Sequence, residues 1–273
     1  MKSKRIIALL LVVLLSVTLF PCESYAAKYA PIYVTDSNNV TSTGDFNSLF
    51  SGQIIYYPAS LVESDTTYPV VVWANGTMCA PVLYHSLLSQ IAVGGYIVVT
   101  NTDMMSADGE SQIASIDFIL EKNEEASSVF YQKVDTEHIA AAGHSQGGRS
   151  AVNAAVADSR IDCVFTIAGS NYKSETKKLS TPTFFVAGTA DLMVLASMWV
   201  KPAYKNCTGP AVYASLKGAL HTRCCTNPSD YSDYAISWFD AWLKNDAEAM
   251  KVFVSGGTLA NDSSWKDFSV KGL

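Results

Sequence analysis

Histidine is scarce in this chain, with four in 273 residues. So few imidazoles leave little material for a His-rich metal site. Charge is sparse too: 16% of residues, with 19 Lys+Arg against 25 Asp+Glu and a net of -6. A nucleic-acid binder shows a basic stripe, and this balance excludes one. Six cysteines are too dilute for a disulfide-built miniprotein. Past residue 26 there is no repeat, charge block or Pro/Gly/Ser linker, so no domain boundary is placed. What is plentiful is apolar material, at 49% hydrophobic and 11% aromatic residues. That excludes a disordered chain and suits one sizeable core.

The one long apolar run sits at the start. Lys2, Lys4 and Arg5 precede Ile6 to Phe20, and Ser24-Tyr25-Ala26 offers small residues where a signal peptidase cuts. Its 15 residues are short for a membrane span, which needs about 20. Residues 1–26 therefore read as a secretory signal and 27–273 as a single domain, secreted or periplasmic, with no stable membrane span. Removing Lys2, Lys4, Arg5 and Glu23 leaves 247 residues with 16 positive and 24 negative side chains, net -8.

Short β-branched runs then alternate with helical patterns. Strands are expected at Gln53–Tyr57, Pro69–Ala74, Tyr96–Thr100, Ile139–Gly143, Ile161–Ile167, Thr183–Ala187 and Ala211–Leu216. Helices are expected at Pro81–Ala92, Ser111–Glu121, Gln146–Ala157 and Tyr231–Lys244. Continuous apolar strands alternating with helices predict an α/β fold with a mainly parallel central sheet.

Gly143-His144-Ser145-Gln146-Gly147 is a G-x-S-x-G motif directly after an apolar strand and directly before a helix. That context marks a nucleophile elbow, a sharp turn that lifts the serine hydroxyl above the sheet. A serine hydroxyl is a poor nucleophile and needs a base and an orienting acid, which follow in the order Ser, acid, His. His85 and His138 precede Ser145 and His144 lies inside the elbow, so His221 is the base by elimination. Among the intervening carboxylates, Asp158 and Asp162 fall at the far end of the sheet. Asp191 leaves the strand Thr183–Ala187 through Gly188-Thr189-Ala190 and is the preferred acid, with Glu175 the alternative. The oxyanion hole needs two backbone N–H groups. Gln146 supplies one, and Thr77 (or Met78) in Asn75-Gly76-Thr77-Met78 supplies the other. Asn75-Gly76-Thr77 also matches a glycosylation sequon, a match read as chance because a glycan would block the hole.

From about Gln53 to Leu243 these residues resemble bacterial α/β-hydrolases of the PET hydrolase, cutinase-type polyesterase and dienelactone-hydrolase-like or chlorophyllase-like group. The resemblance rests on Gln53-Ile-Ile-Tyr-Tyr-Pro58, Asn75-Gly76-Thr77, Gly143–Gly148, Gly188-Thr189-Ala190-Asp191 and Trp238–Leu243. It implies an α/β-hydrolase fold, the triad Ser145, Asp191 and His221, and Thr77 and Gln146 at the hole. Two features depart from it: polyesterases carry Pro-Trp where this chain has Ala168-Gly169-Ser170-Asn171, and Met where it has Gln146.

Only 15 residues separate Ile167 from Thr183 and 29 separate Asp191 from His221. No cap domain fits, so an open groove is expected, suited to bulky or polymeric esters. Met78 and Trp199 are the candidate substrate-binding residues, with Met104, Met105 and Met193 nearby. Cys163 reads as a buried free thiol. Cys79 and Cys207 are expected to pair with Cys224 and Cys225, stapling loops to the histidine loop. The reading is a secreted, monomeric serine esterase that uses no cofactor and no metal and acts on an ester, polymeric or lipid-like, not on nucleic acid. An amidase or peptidase on the same triad, or an inactive binding protein, are the alternatives.

Overall fold

The computed structural model describes residues 52–273 and the backbone of 32–36; the signal segment 1–26 lies outside the described residues. All described residues belong to one unit. Its strands are β1 (Ile32–Asp36), β2 (Gln53–Tyr57), β3 (Tyr68–Ala74), β4 (Ile97–Asn101), β5 (Val134–His144), β6 (Ile161–Ile167), β7 (Thr183–Gly188), β8 (Ala211–Leu216) and β9 (Trp265–Lys271). They form one sheet in the order β1-β2-β4-β3-β5-β6-β7-β8-β9. The six strands from β4 to β8 in that order are parallel. The edge pairings are antiparallel. Helices flank the sheet: α1 (His85–Val93), α2 (Glu110–Glu124), α3 (Gln146–Ala157), α4 (Lys173–Thr176), α5 (Val200–Asn206), α6 (Arg223–Thr226), α7 (Ser229–Leu243), α8 (Ala247–Met250) and α9 (Thr258–Asn261). Helix α1 packs on α7, and α2 on α3.

The expected α/β-hydrolase architecture is present, and the reason is burial on both faces. Val70-Val71-Val72 and Ile97-Val98-Val99 have no exposed surface at all. A strand covered by helices on both sides needs apolar side chains in both directions, hence continuous runs rather than alternation. Phe165, Phe184, Trp238, Phe239 and Phe253 interlock where α7 meets the sheet. Between β6 and β7 lies only the four-residue α4, so no cap is inserted there.

Two strands escape the sequence pattern. β1 is a short edge strand, and β9 reads Trp-Lys-Asp-Phe-Ser-Val-Lys, mostly half-buried, with a left-handed Asp267. Edge strands keep charges and irregularities that discourage pairing with other chains, so a search for apolar runs misses them. β5 also starts earlier than Ile139, through the exposed Thr136 and Glu137.

The strand order positions the site. The chain leaves β3 for β4 on one side and returns to β5 on the other. The loops after β3 and β5 therefore diverge and leave a crevice at the carboxyl ends of the strands.

Candidate active site

Ser145 stands between β5 and α3 with φ 58° and ψ -120°, a left-handed conformation strained for a non-glycine residue. The turn closes only because its neighbours lack side chains. A Cβ on Gly147 would strike the Ala74 carbonyl, and one on Gly143 would strike the Gly147 carbonyl. The end of β6 clamps the elbow: Ser145 N–H donates to the Ile167 carbonyl at 2.8 Å, and the Ser145 carbonyl accepts from Ser170 N–H at 3.3 Å.

His221 lies on the loop after β8 and bridges the two partners foreseen for it. Its Nε2 is 3.0 Å from Ser145 Oγ and its Nδ1 is 2.7 Å from Asp191 Oδ2. Asp191, 3% exposed, accepts on its other oxygen from the N–H groups of Met193 and Val194, both at 2.8 Å. Burial alone would raise the Asp191 carboxyl pKa. The His221 hydrogen bond and charge, with those two N–H groups, outweigh burial and hold it below its ordinary value. The acid turn and the histidine loop are tied directly. Thr189 N–H donates to the Leu216 carbonyl, Ala190 N–H to the Ala219 carbonyl, and Gly218 N–H to Thr189 Oγ1.

Glu175, the alternative acid, is engaged elsewhere. Its Oε1 accepts two bonds from Arg149 at 2.9 and 2.6 Å, and its Oε2 accepts Tyr172 N–H. Of the two expected sources for the second oxyanion donor, Met78 is ruled out because its N–H donates to the Met104 carbonyl at 3.0 Å. Thr77 N–H has no partner among the described residues, and Gln146, as the first residue of α3, has no intrahelical acceptor. Asn75 is fully buried and its amide donates to the Asn101 and Asp103 carbonyls, so it is no glycan acceptor. Instead it anchors the loop that carries Thr77, a role its sequence match concealed.

Around the rim, Met78 is 59% exposed, Leu192 85%, Met198 64% and Leu220 63%. Trp199 is half-buried against the core, its ring 5.7 Å from that of the exposed Tyr172, which stacks under Arg149. A cavity of about 360 Å³ lined by Asp230, Tyr234, Asp262 and Trp265 includes none of Ser145, Asp191 and His221. Ser145 and His221 are part-buried and Asp191 is buried, all three outside that hollow.

The expected disulfides need correction: Cys79, Cys163, Cys207, Cys224 and Cys225 are all free thiols. Cys207 precedes β8 and its carbonyl is held by Lys271, whereas Cys224 and Cys225 follow β8. A six-residue strand intervenes, spanning roughly 20 Å at the usual rise. A disulfide bridges Cα atoms no more than about 7 Å apart. Cys163 is buried, as expected, and burial pushes its thiol pKa up.

An elbow serine joined to a histidine and a buried aspartate at the carboxyl ends of a helix-flanked parallel sheet defines a serine hydrolase of the α/β-hydrolase fold. The sequence profile of the PET hydrolase-like family matches residues 21–269, and the chain belongs to that family. It is 27% identical over 233 residues to a bis(hydroxyethyl) terephthalate hydrolase of Streptomyces coelicolor, covering 82% of this chain and 71% of that one. It is also 22% identical over 214 residues to cutinase est2 of Thermobifida alba, covering 76% and 69%. Cutinase 1 of Thermobifida cellulosilytica is 21% identical over 239 residues, covering 84% and 87%. No described helix is long and apolar enough to cross a membrane.

Proposed function

We propose that this protein is a secreted, monomeric serine esterase that hydrolyses carboxylic esters through an acyl-enzyme. Ser145 Oγ attacks the ester carbonyl while His221 Nε2 takes its proton. His221 returns that proton to the departing alcohol oxygen, leaving the acyl group on Ser145. Water then repeats the sequence in reverse and releases the acid. Asp191 keeps His221 in the tautomer that presents a bare Nε2 to Ser145, and the N–H groups of Thr77 and Gln146 receive the oxyanion. The observation that carries this reading is the pair of hydrogen bonds made by His221, 3.0 Å to Ser145 Oγ and 2.7 Å to Asp191 Oδ2. The relatives named as cutinases and as a terephthalate-ester hydrolase point to the same chemistry.

For the substrate we favour a large, polymeric or lipid-like ester. Leu192, Met193, Met198 and Leu220 leave apolar surface beside the triad with no cap over it, a surface that ordinarily marks an interaction site. Met78 and Trp199 belong to this rim. The test is Ser145→Ala assayed on a p-nitrophenyl ester. Turnover is expected to fall by at least about a thousandfold, and labelling by a fluorophosphonate is expected to vanish. Retained turnover with an intact fold would sink the assignment.

A further inference from the structure

His144, the elbow residue just before Ser145, is buried, and both of its ring nitrogens are occupied. Nε2 lies 2.8 Å from the carbonyl oxygen of His221, and Nδ1 lies 2.9 Å from Tyr84 Oη. Tyr84 is fully buried, and its oxygen sits 3.0 Å from Gly76 N–H. The His144 and His221 rings approach with centroids 4.6 Å apart.

The hydrogens along this line have one arrangement. A carbonyl only accepts, so His144 Nε2 carries a hydrogen. Burial, with His221 alongside, holds the His144 pKa down to about 3, so the ring keeps a single hydrogen and Nδ1 is bare. Tyr84 then donates to Nδ1, a stronger acceptor than the Cys79 thiol that also lies in hydrogen-bond contact with it, and its oxygen accepts from Gly76 N–H. The groups that face this line are His221 and Asp191 on the triad side and the thiols of Cys79, Cys224 and Cys225 around Tyr84. The result is a directed chain from Gly76 N–H through Tyr84 and His144 to the His221 carbonyl. It fastens the loop after β3 to the loop after β8, passing through the residue next to the nucleophile.

We propose that Tyr84 and His144 are positioning residues for the reaction at Ser145. They hold the backbone of the base, His221, and of Gly76, the neighbour of the oxyanion donor Thr77, in register with Ser145 Oγ. The inference rests on the esterase reading above. Neither side chain touches substrate, so their effect is on alignment, to which rates are steeply sensitive.

Tyr84→Phe deletes one hydroxyl and keeps the ring. It is expected to lower kcat on a soluble p-nitrophenyl ester about tenfold with KM within about twofold. Affinity for phenylboronic acid, which forms a tetrahedral adduct on a reactive serine, is expected to fall by the same factor. A folded Tyr84→Phe protein with unchanged kcat overturns the proposal, as does a loss in kcat that the boronic acid does not follow. The unmodified protein supplies a second reading through 15N NMR of its histidines. His144 is expected as the Nε2–H tautomer without titrating down to about pH 5, well below the ordinary histidine value. A hydrogen on Nδ1, or titration near the ordinary value, overturns the proposal without any variant. Failure of the esterase reading is distinguishable, because Ser145→Ala would then retain turnover while the tautomer of His144 stayed as stated.

Discussion

Where the parallel strands begin, Arg160 reaches both Asp158 and Asp117, His138 sits on Asp135, and Lys122 pairs with Glu125. Where those strands stop, the exposed side chains are Met78, Leu192, Met193, Met198 and Leu220, and the carboxylate of Asp191 is hidden. One end behaves as an ordinary soluble surface, with its charges paired at or near the water. The other hides the Asp191 carboxylate and exposes these apolar groups, beside the half-exposed Arg223–Asp230 pair. The difference has a chemical reason. A carboxylate that is to orient a histidine is held away from water, and the apolar rim is where the proposed polymeric or lipid-like ester would lie.

The contrast predicts unequal effects. Asp191→Asn leaves the shape intact but favours the wrong His221 tautomer, and kcat is expected to fall by about a thousand- to ten-thousandfold. Glu175→Gln, assayed on the same soluble ester, is expected to cost little. A reversal of that order would move the acid to Glu175.

Next in size is an acid sensitivity stored at the catalytic end. The folded protein keeps His144 neutral to about 3, whereas the unfolded chain protonates it near 6.5. The unfolded state thus binds the extra proton, so His144's contribution is full above 6.5 and is lost as pH falls toward 3. The loss is about 1.4 kcal/mol per pH unit within that window. Urea midpoints measured from neutral to mildly acidic pH should show this slope, and His144→Gln should flatten it.

At the opposite end, Arg160→Ala is expected to cost about 1 kcal/mol, because Arg160 grips both oxygens of Asp158, whose side chain is 11% exposed, and reaches the exposed Asp117 as well. Ester turnover should not change. Smallest in stability is Leu192→Ser, within about 0.5 kcal/mol in the same urea titration. Its turnover on an emulsified ester should drop while that on a soluble ester holds. Equal effects on both substrates would remove the rim from substrate binding.

Ser145 and His221 were legible because their signals are local or topological. The elbow is a contiguous strand, turn and helix, and the order Ser, acid, His left a single histidine eligible. The central strands were legible because burial on both faces writes itself as unbroken apolar runs, while β9, half in water, carries no such mark. Asp191 was already preferred over Glu175 from its place after the strand Thr183–Ala187; the fold adds that Arg149 on α3 occupies Glu175. The thiols needed the fold: Cys207 and the Cys224-Cys225 pair fall at opposite ends of β8, a separation invisible in a cysteine count. Tyr84 and His144 needed it most. His144 meets Tyr84 60 residues away and His221 77 residues away along the chain, contacts that no local pattern encodes. The sequence by itself settled which residues are chemically capable and in what order they come. Which capable groups meet was decided only by tertiary structure, because hydrogen bonds between loops depend on where the strand ends bring them.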